Sequence, residues 1–114
     1  MKYGGTWTTS KSAKYSGGSV KYTKVKGRSA TYKFTGRSIA FVTTKAPKRG
    51  KVKIYINGTR VATVNLYRSS AQYRVLAWQK TWATSGTRTI KLVVVGTKGR
   101  PRVDLDAFFV LKDL

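Results

Sequence analysis

A hairpin pattern in the middle of the chain constrains the fold most. Residues Lys51–Ile56 alternate between polar and apolar side chains, which is the period-two pattern of a strand with one buried face. Asn57-Gly58 follows directly, and this dipeptide readily adopts the two positive φ angles of a type I′ turn. Residues 59–66 then return with Ala62, Val64 and Leu66 on the inward row. The sequence therefore predicts a β-hairpin over residues 51–66.

The rest of the chain also reads as strands. Glu is absent, other helix formers are scarce, and glycine-containing turns separate short runs of β-branched and aromatic residues. The predicted strands cover residues 20–23, 30–34, 38–43, 51–56, 59–66, 72–78, 87–95 and 102–111. About eight antiparallel strands indicate an all-β sandwich or barrel. With 114 residues and no visible linker or repeat, we predict one module over residues 1–114.

The charge of the chain is almost entirely of one sign. There are 24 Lys and Arg against three Asp, with no His, which gives a formal net charge of +21. The carboxylates are Asp104, Asp106 and Asp113, so residues 1–103 carry none. A field of this size attracts polyanions. We therefore expect an anionic glycan or another polyanion as partner, and electrostatics alone leaves nucleic acid open.

The same composition argues against catalysis and bound metal. Glycoside hydrolysis usually needs two facing carboxylates, and only Asp104 and Asp106 lie close, on one face of the predicted last strand. We interpret them as structural, with Asp106 pinning the strand through backbone and Arg hydrogen bonds. Calcium prefers six to eight oxygen ligands, often carboxylates, so a calcium site is disfavoured. We expect no enzyme activity, metal or cofactor. There is also no Cys and no apolar run long enough to span a membrane.

The candidate ligand-binding residues are basic or aromatic. The densest basic group begins near a Pro-Lys-Arg-Gly turn and continues into the hairpin, where two lysines should share a face with an aromatic ring. Its members are Lys45, Lys48, Arg49, Lys51, Lys53 and Tyr55. Trp82 lies in a predicted polar loop over residues 79–86, where it could stack on a ligand ring. We expect structural roles for Trp7, at one end of the sandwich, and for Trp78, in the core.

Several segments resemble a known family. These are Tyr15-Ser16-Gly17-Gly18-Ser19, Phe34-Thr35-Gly36-Arg37-Ser38-Ile39-Ala40, residues 51–58, Leu66-Tyr67, residues 86–91 and residues 103–108. Together they resemble the galactose-binding-like jelly-roll modules appended to secreted proteins of Gram-positive, especially actinobacterial, bacteria. The resemblance covers most of the chain from Trp7 to Leu111. It implies a jelly-roll β-sandwich, an extracellular or cell-surface location, and a non-catalytic role in carbohydrate binding or adhesion.

Three functional alternatives remain open at this point. The preferred one is a module that binds an anionic polysaccharide or cell-wall polymer through Lys and Arg, aided by stacking aromatic rings. The second is a nucleic-acid binder of low sequence specificity, and the third is an adhesive or structural domain. The sequence leaves open whether the charge is natural or engineered, and it does not give the oligomeric state.

Overall fold

Nine β-strands and one short 3₁₀ turn make up the computed structural model, which describes residues 1–112. The strands are β1 (Lys2–Gly4), β2 (Thr8–Lys11), β3 (Ser19–Thr23), β4 (Ser29–Lys45), β5 (Lys51–Ile56), β6 (Thr59–Asn65), β7 (Gln72–Val94), β8 (Val103–Leu105) and β9 (Ala107–Leu111). The 3₁₀ turn is Ser16–Gly18. Within residues 1–112, no helix has the length and apolar character needed to cross a bilayer.

The strands form two antiparallel sheets. The large sheet has the order β1-β4-β7-β5-β6, with β9 also paired to β4, and the small sheet has the order β2-β3-β8. Apolar side chains from the large sheet, including Phe41, Ile54 and Leu92, form one buried cluster with Val103 and Leu105 of the small sheet. The predicted all-β antiparallel sandwich is therefore confirmed, with nine strands instead of about eight.

The hairpin prediction is also confirmed. Asn57 and Gly58 have φ angles of 49° and 83°, as a type I′ turn requires. Val52, Ile54 and Ile56 are buried, whereas the alternate residues of β5 face away from the core. The pairing of β5 with β6 shifts between Ile54 and Tyr55, so Val61 of β6 has no partner in β5. Val61 is exposed at the edge of the sheet.

Two pairs of predicted strands are each one long strand, so the predicted breaks at Gly36 and at residues 79–86 are wrong. Strand β4 continues through Gly36, and β7 continues through the segment interpreted as a loop. The two strands pair along most of their length, with register shifts that bend them. Gly36 is required at one bend, because a Cβ there would lie 2.8 Å from the Leu111 carbonyl oxygen. The polar Thr and Ser residues of 79–86 tolerate a strand because this part of the sheet is largely exposed.

The ends of the chain differ from the prediction as well. Strands β1 and β2 were not predicted, since they are short and carry no clear alternation. The predicted last strand is interrupted at Asp106, and its two halves, β8 and β9, belong to different sheets. At this junction the Asp106 amide donates to the Val42 carbonyl of β4 at 3.1 Å, which joins the two sheets.

A buried ion cluster holds β8 against the turn that precedes β5. Asp104 in β8 is completely buried. Its Oδ1 accepts from Arg102 Nε at 2.8 Å, and its Oδ2 accepts from Arg49 Nη2 at 3.2 Å and from Arg102 Nη2 at 3.4 Å. Its carbonyl accepts from Thr43 Oγ1 at 2.6 Å. One carboxylate thus neutralises part of the charge on two guanidinium groups in a region with little solvent.

Asp104→Asn should destabilise the fold strongly. The substitution keeps the shape of the side chain but leaves the Arg49 and Arg102 guanidinium groups without their counter-charge. Removing one member of a buried ion pair costs about 3–5 kcal/mol. Urea unfolding at neutral pH measures this loss. A decrease of less than about 1 kcal/mol, the range of an exposed ion pair, would show that the cluster does not hold the sheets together.

Candidate functional site

The outward face of the large sheet carries a row of polar side chains across five strands. Cross-strand pairing places Lys2 of β1, Thr31 of β4, Lys91 of β7, Tyr55 of β5 and Arg60 of β6 side by side. Directly paired residues of neighbouring strands project from the same face of a sheet. Tyr55 therefore lies between two cations, and the row runs perpendicular to the strands.

A shallow depression lies beside Tyr55. Its volume is about 310 Å³, and it is lined by Thr31, Tyr55, Gly58, Thr89, Lys91 and Val93. Lys53 pairs with Val93 on the same face, and Lys33 pairs with Thr89. Pockets that hold small ligands typically have volumes of about 300–1,000 Å³. The depression beside the Tyr55 ring thus has a volume at the lower end of this range.

The Tyr55 ring is partly exposed on this face. Among the described residues, each of the other six of the seven tyrosines has an aromatic ring or a guanidinium group against its own ring. Tyr3, Tyr15, Tyr32 and Tyr73 each pack against another aromatic ring. Tyr22 and Tyr67 lie under the guanidinium groups of Arg102 and Arg100, at 3.9 and 5.3 Å. Tyr55 has no such neighbour within residues 1–112, so the exposed side of its half-buried ring can contact an external planar or apolar surface.

The charge around Tyr55 is also uncompensated. The cations nearest to Tyr55 on its face are Lys2, Lys33, Lys53, Arg60 and Lys91, and we call these five residues with Tyr55 the basic sheet face. The carboxylates within residues 1–112 lie elsewhere, with Asp104 buried and Asp106 at the β8–β9 junction. A concentration of one sign of charge beside an apolar ring favours a ligand that is both anionic and able to stack.

The structure divides the predicted basic group between three places. Lys53 and Tyr55 belong to the basic sheet face, and Lys51 is exposed on the same side of β5, where it pairs with Asn65. Lys45 is half-buried at the end of β4, opposite Gln72. Lys48 and Arg49 lie in the turn before β5, where Arg49 is 9% exposed and bound to Asp104. Arg49 therefore has little surface to offer a polymer on the sheet.

Trp82 is placed differently from the prediction, because its segment is strand and not loop. The residue lies in β7, is half-buried, and packs against the core through Phe34, with ring centroids 6.0 Å apart. The Arg88 guanidinium lies 4.2 Å from its ring centroid, and Arg88 is held there by the carbonyl groups of Gly36 and Thr84. Most of the ring is thus occupied by contacts within the protein.

The other two tryptophans lie in or against the core. Trp7 is 8% exposed and donates its indole N–H to the Ser29 carbonyl at 3.0 Å. Trp78 is partly buried against the core cluster and pairs with Phe41. Neither of them shares a face with Tyr55.

The candidates from the sequence did not include four of the six residues of the basic sheet face, which are Lys2, Lys33, Arg60 and Lys91. Lys91, Thr89 and Thr31 alternate with buried neighbours, so their outward orientation could have been inferred from the pattern of β7 and β4. Their position beside Tyr55 could not, because it depends on β5 pairing with the second half of β7.

The two aspartates do not lie on one face of a single strand, which is where the predicted last strand placed them. Asp104 points into the ion cluster, whereas Asp106 lies between β8 and β9 and accepts from the Ser16 amide at 3.1 Å. Burial raises the pKa of Asp106, against the lowering effect of the Ser16 hydrogen bond and Arg74, and Asp104 raises it further. Within residues 1–112, no three His, Cys, Asp or Glu side chains meet in a group that could hold a metal ion.

Asp106→Asn should increase the free energy of unfolding more at neutral pH than in acid. Because the pKa of Asp106 is raised on folding, the folded state favours its protonated form, and stability falls as pH rises through that pKa. Asparagine removes this cost and can still accept the Ser16 hydrogen bond. We expect the free energy of unfolding of the variant, relative to the parent, to be higher at neutral pH than at about pH 2, below the ordinary aspartate pKa. Urea unfolding at the two pH values measures this difference. A variant that gains more stability at about pH 2 than at neutral pH would contradict a raised pKa for Asp106.

Comparisons with known proteins identify the fold. No protein-family model matches the chain. The chain is 26% identical over 108 residues to the A type blood N-acetyl-alpha-D-galactosamine deacetylase of Flavonifractor plautii, covering 95% of this chain and 13% of the deacetylase. This chain thus corresponds to a small part of that relative.

Solved structures share the architecture at low sequence identity. The CBM36-1 domain of a multidomain xylanase from the hindgut metagenome of Trinervitermes trinervoides aligns with a TM-score of 0.61 and 19% identity, over 95% of this chain and 87% of that domain. A Paenibacillus xanthan lyase aligns with a TM-score of 0.69 and 15% identity, over 98% of this chain and 12% of the lyase. The Agl-KA catalytic domain aligns with a TM-score of 0.67 and 14% identity, over 99% of this chain and 26% of that domain's chain. The predicted resemblance to a carbohydrate-binding-module-like β-sandwich is confirmed for the fold.

Proposed function

We propose that the chain is a non-catalytic module that binds an anionic polysaccharide on the basic sheet face. The observation that carries the proposal is the partly exposed Tyr55 ring, flanked in its row by Lys91 and Arg60 and bordering a depression of about 310 Å³. Sugar rings present apolar C–H surfaces that can lie on an aromatic ring. Carboxylate or sulfate groups on the same polymer would lie near the surrounding ammonium and guanidinium groups.

The chemistry of the described residues supports binding without catalysis. Glycoside hydrolysis usually needs a pair of carboxylic acid side chains that flank the bond to be cleaved. The basic sheet face offers Lys, Arg, Thr and Tyr side chains, and no carboxylate from residues 1–112 faces it. The fold shared with a CBM36 domain supports the same interpretation, since that domain is one part of a multidomain xylanase. An extracellular or cell-surface location is part of the proposal, because the polymer would be found there.

An extended polymer fits this surface better than a compact ligand does. The row from Lys2 to Arg60 crosses five strands, and neighbouring strands are about 4.8 Å apart, so the row is roughly 19 Å long. A single monosaccharide would contact only the centre of this row. Several consecutive residues of a polyanion would contact its whole length, and each neutralised cation would release a counterion.

Tyr55→Ala should weaken binding while preserving the fold. Loss of ring stacking costs about 1–3 kcal/mol, which corresponds to roughly a 5- to 150-fold lower affinity. Tyr55→Phe should retain most of the affinity, because the ring remains. Tyr67→Ala is the matched control, since Tyr67 is exposed but its ring lies against Arg100. Calorimetric titration with heparin and polygalacturonate measures all three, and equal losses for Tyr55→Ala and Tyr67→Ala would place the site elsewhere.

Lys53→Ala and Lys91→Ala should change the salt dependence of binding. Each removes one cation from the basic sheet face, so the slope of log affinity against log salt concentration should become shallower by about one. Lys11→Ala, on exposed β2 of the small sheet, removes the same charge elsewhere and should leave the slope unchanged. Identical slopes for all three variants would mean that the polymer responds only to net charge.

Duplex DNA with matched charge density is the competing ligand, and tighter binding to DNA would favour the nucleic-acid alternative.

A further inference from the structure

A second basic depression lies away from Tyr55, at the other end of β5. Its volume is about 390 Å³, and it is bordered by the loop after β3, the turn before β5 and the turn before β8. It is lined by Lys24, Lys48, Arg49, Gly99, Pro101 and Arg102. Arg49 precedes Tyr55 by six residues, so an extended chain places their Cα atoms about 20 Å apart. We call this depression the Arg49 basin.

The charge of the Arg49 basin is far from balanced. Four of its six lining residues are cations, and the carboxylate beneath them is Asp104. Both Asp104 oxygens are already engaged by Arg49 and Arg102. Lys24 and Lys48 are exposed and make no ion pair within residues 1–112. Like charges gathered in this way repel one another, and an anion of two negative charges would relieve the repulsion.

Arg49 is a nearly buried cation whose hydrogen bonds within the protein are incomplete. Its side chain is 10% exposed, and Nη2 donates to Asp104. Its Nε–H is buried and has no hydrogen-bond partner in the part of the chain that the structure describes. An unmade hydrogen bond at a buried polar group destabilises the folded state, and more so when the group is charged. The guanidinium is also fixed in place by Asp104, so it does not have to be ordered when a ligand binds.

We propose that the Arg49 basin is a binding site for one tetrahedral oxyanion, a sulfate or a phosphate group. The exposed part of the Arg49 guanidinium that Asp104 does not occupy can donate to an oxygen of such a group, while Lys24 and Lys48 act as mobile point charges around it. The site is distinct from the basic sheet face and does not require a ring for stacking. The oxyanion can be a free inorganic ion or a sulfate ester on a polysaccharide, and on a polymer it would give the module a second point of attachment.

Side-chain NMR of the arginine Nε–H groups tests this site directly. Inorganic sulfate is titrated into ¹⁵N-labelled protein at constant ionic strength, with chloride as the balancing ion, and Arg49→Lys assigns the Arg49 signal. We expect a saturable shift of the Arg49 signal with sulfate and none with chloride. Lys24→Ser and Lys48→Ser should each weaken sulfate binding by roughly two- to fivefold, the range of one exposed ion pair. Both residues are exposed, so the fold should be retained.

The controls separate this proposal from the one for the sheet face. Lys91→Ser removes a cation from the basic sheet face and should leave the sulfate titration unchanged. A sulfated disaccharide and its unsulfated counterpart identify the source of the oxyanion. A shift with both inorganic sulfate and the sulfated sugar supports the site, and so does a shift with the sulfated sugar alone. A shift that is equal in sulfate and chloride, or that persists unchanged in the Lys24→Ser/Lys48→Ser double variant, overturns it. None of these results depends on whether Tyr55 binds a glycan.

Discussion

The buried carboxylate of Asp104 is the interaction on which the rest of this structure depends. A chain with 24 cations and three carboxylates must expose nearly all of its charge to water. Arg49 and Arg102 are exceptions, because both are drawn inward by Asp104. Their contact ties β8 to the turn before β5, and the Thr43 hydroxyl ties the same residue to β4. Together with the shared apolar core, these contacts of Asp104 hold the small sheet against the large one.

The distribution of the remaining charge follows from that arrangement. With one carboxylate enclosed and Asp106 at the junction of two strands, the cations of the basic sheet face have no acidic neighbours within residues 1–112. Lys53, Lys91 and Arg60 therefore project a positive field around Tyr55. The same shortage of carboxylates leaves the Arg49 basin with excess positive charge. Both proposed sites thus have one physical origin, which is the small number of acidic residues.

Local signals in the sequence predicted the parts of the fold that depend on neighbouring residues. The Asn57-Gly58 turn and the alternation of β5 placed Lys53 and Tyr55 on one outward face. Long-range pairing was not predictable in the same way. The polar segment around Trp82 was expected to be a loop, and only its pairing with β4 shows that it is strand. Arg49 was assigned to an exposed basic group because sequence spacing does not reveal its pairing with Asp104, 55 residues away.

The central claim is that an anionic polysaccharide lies across the Tyr55 face. The most direct measurement is the mapping of backbone amide chemical shifts on titration with a heparin-derived tetrasaccharide at about 150 mM salt, where weak long-range attraction is screened. The account predicts that the largest shifts fall in β5 and the second half of β7, at Lys53, Tyr55 and Lys91. Small shifts spread over all the basic surfaces, or a maximum on the small sheet, would contradict it.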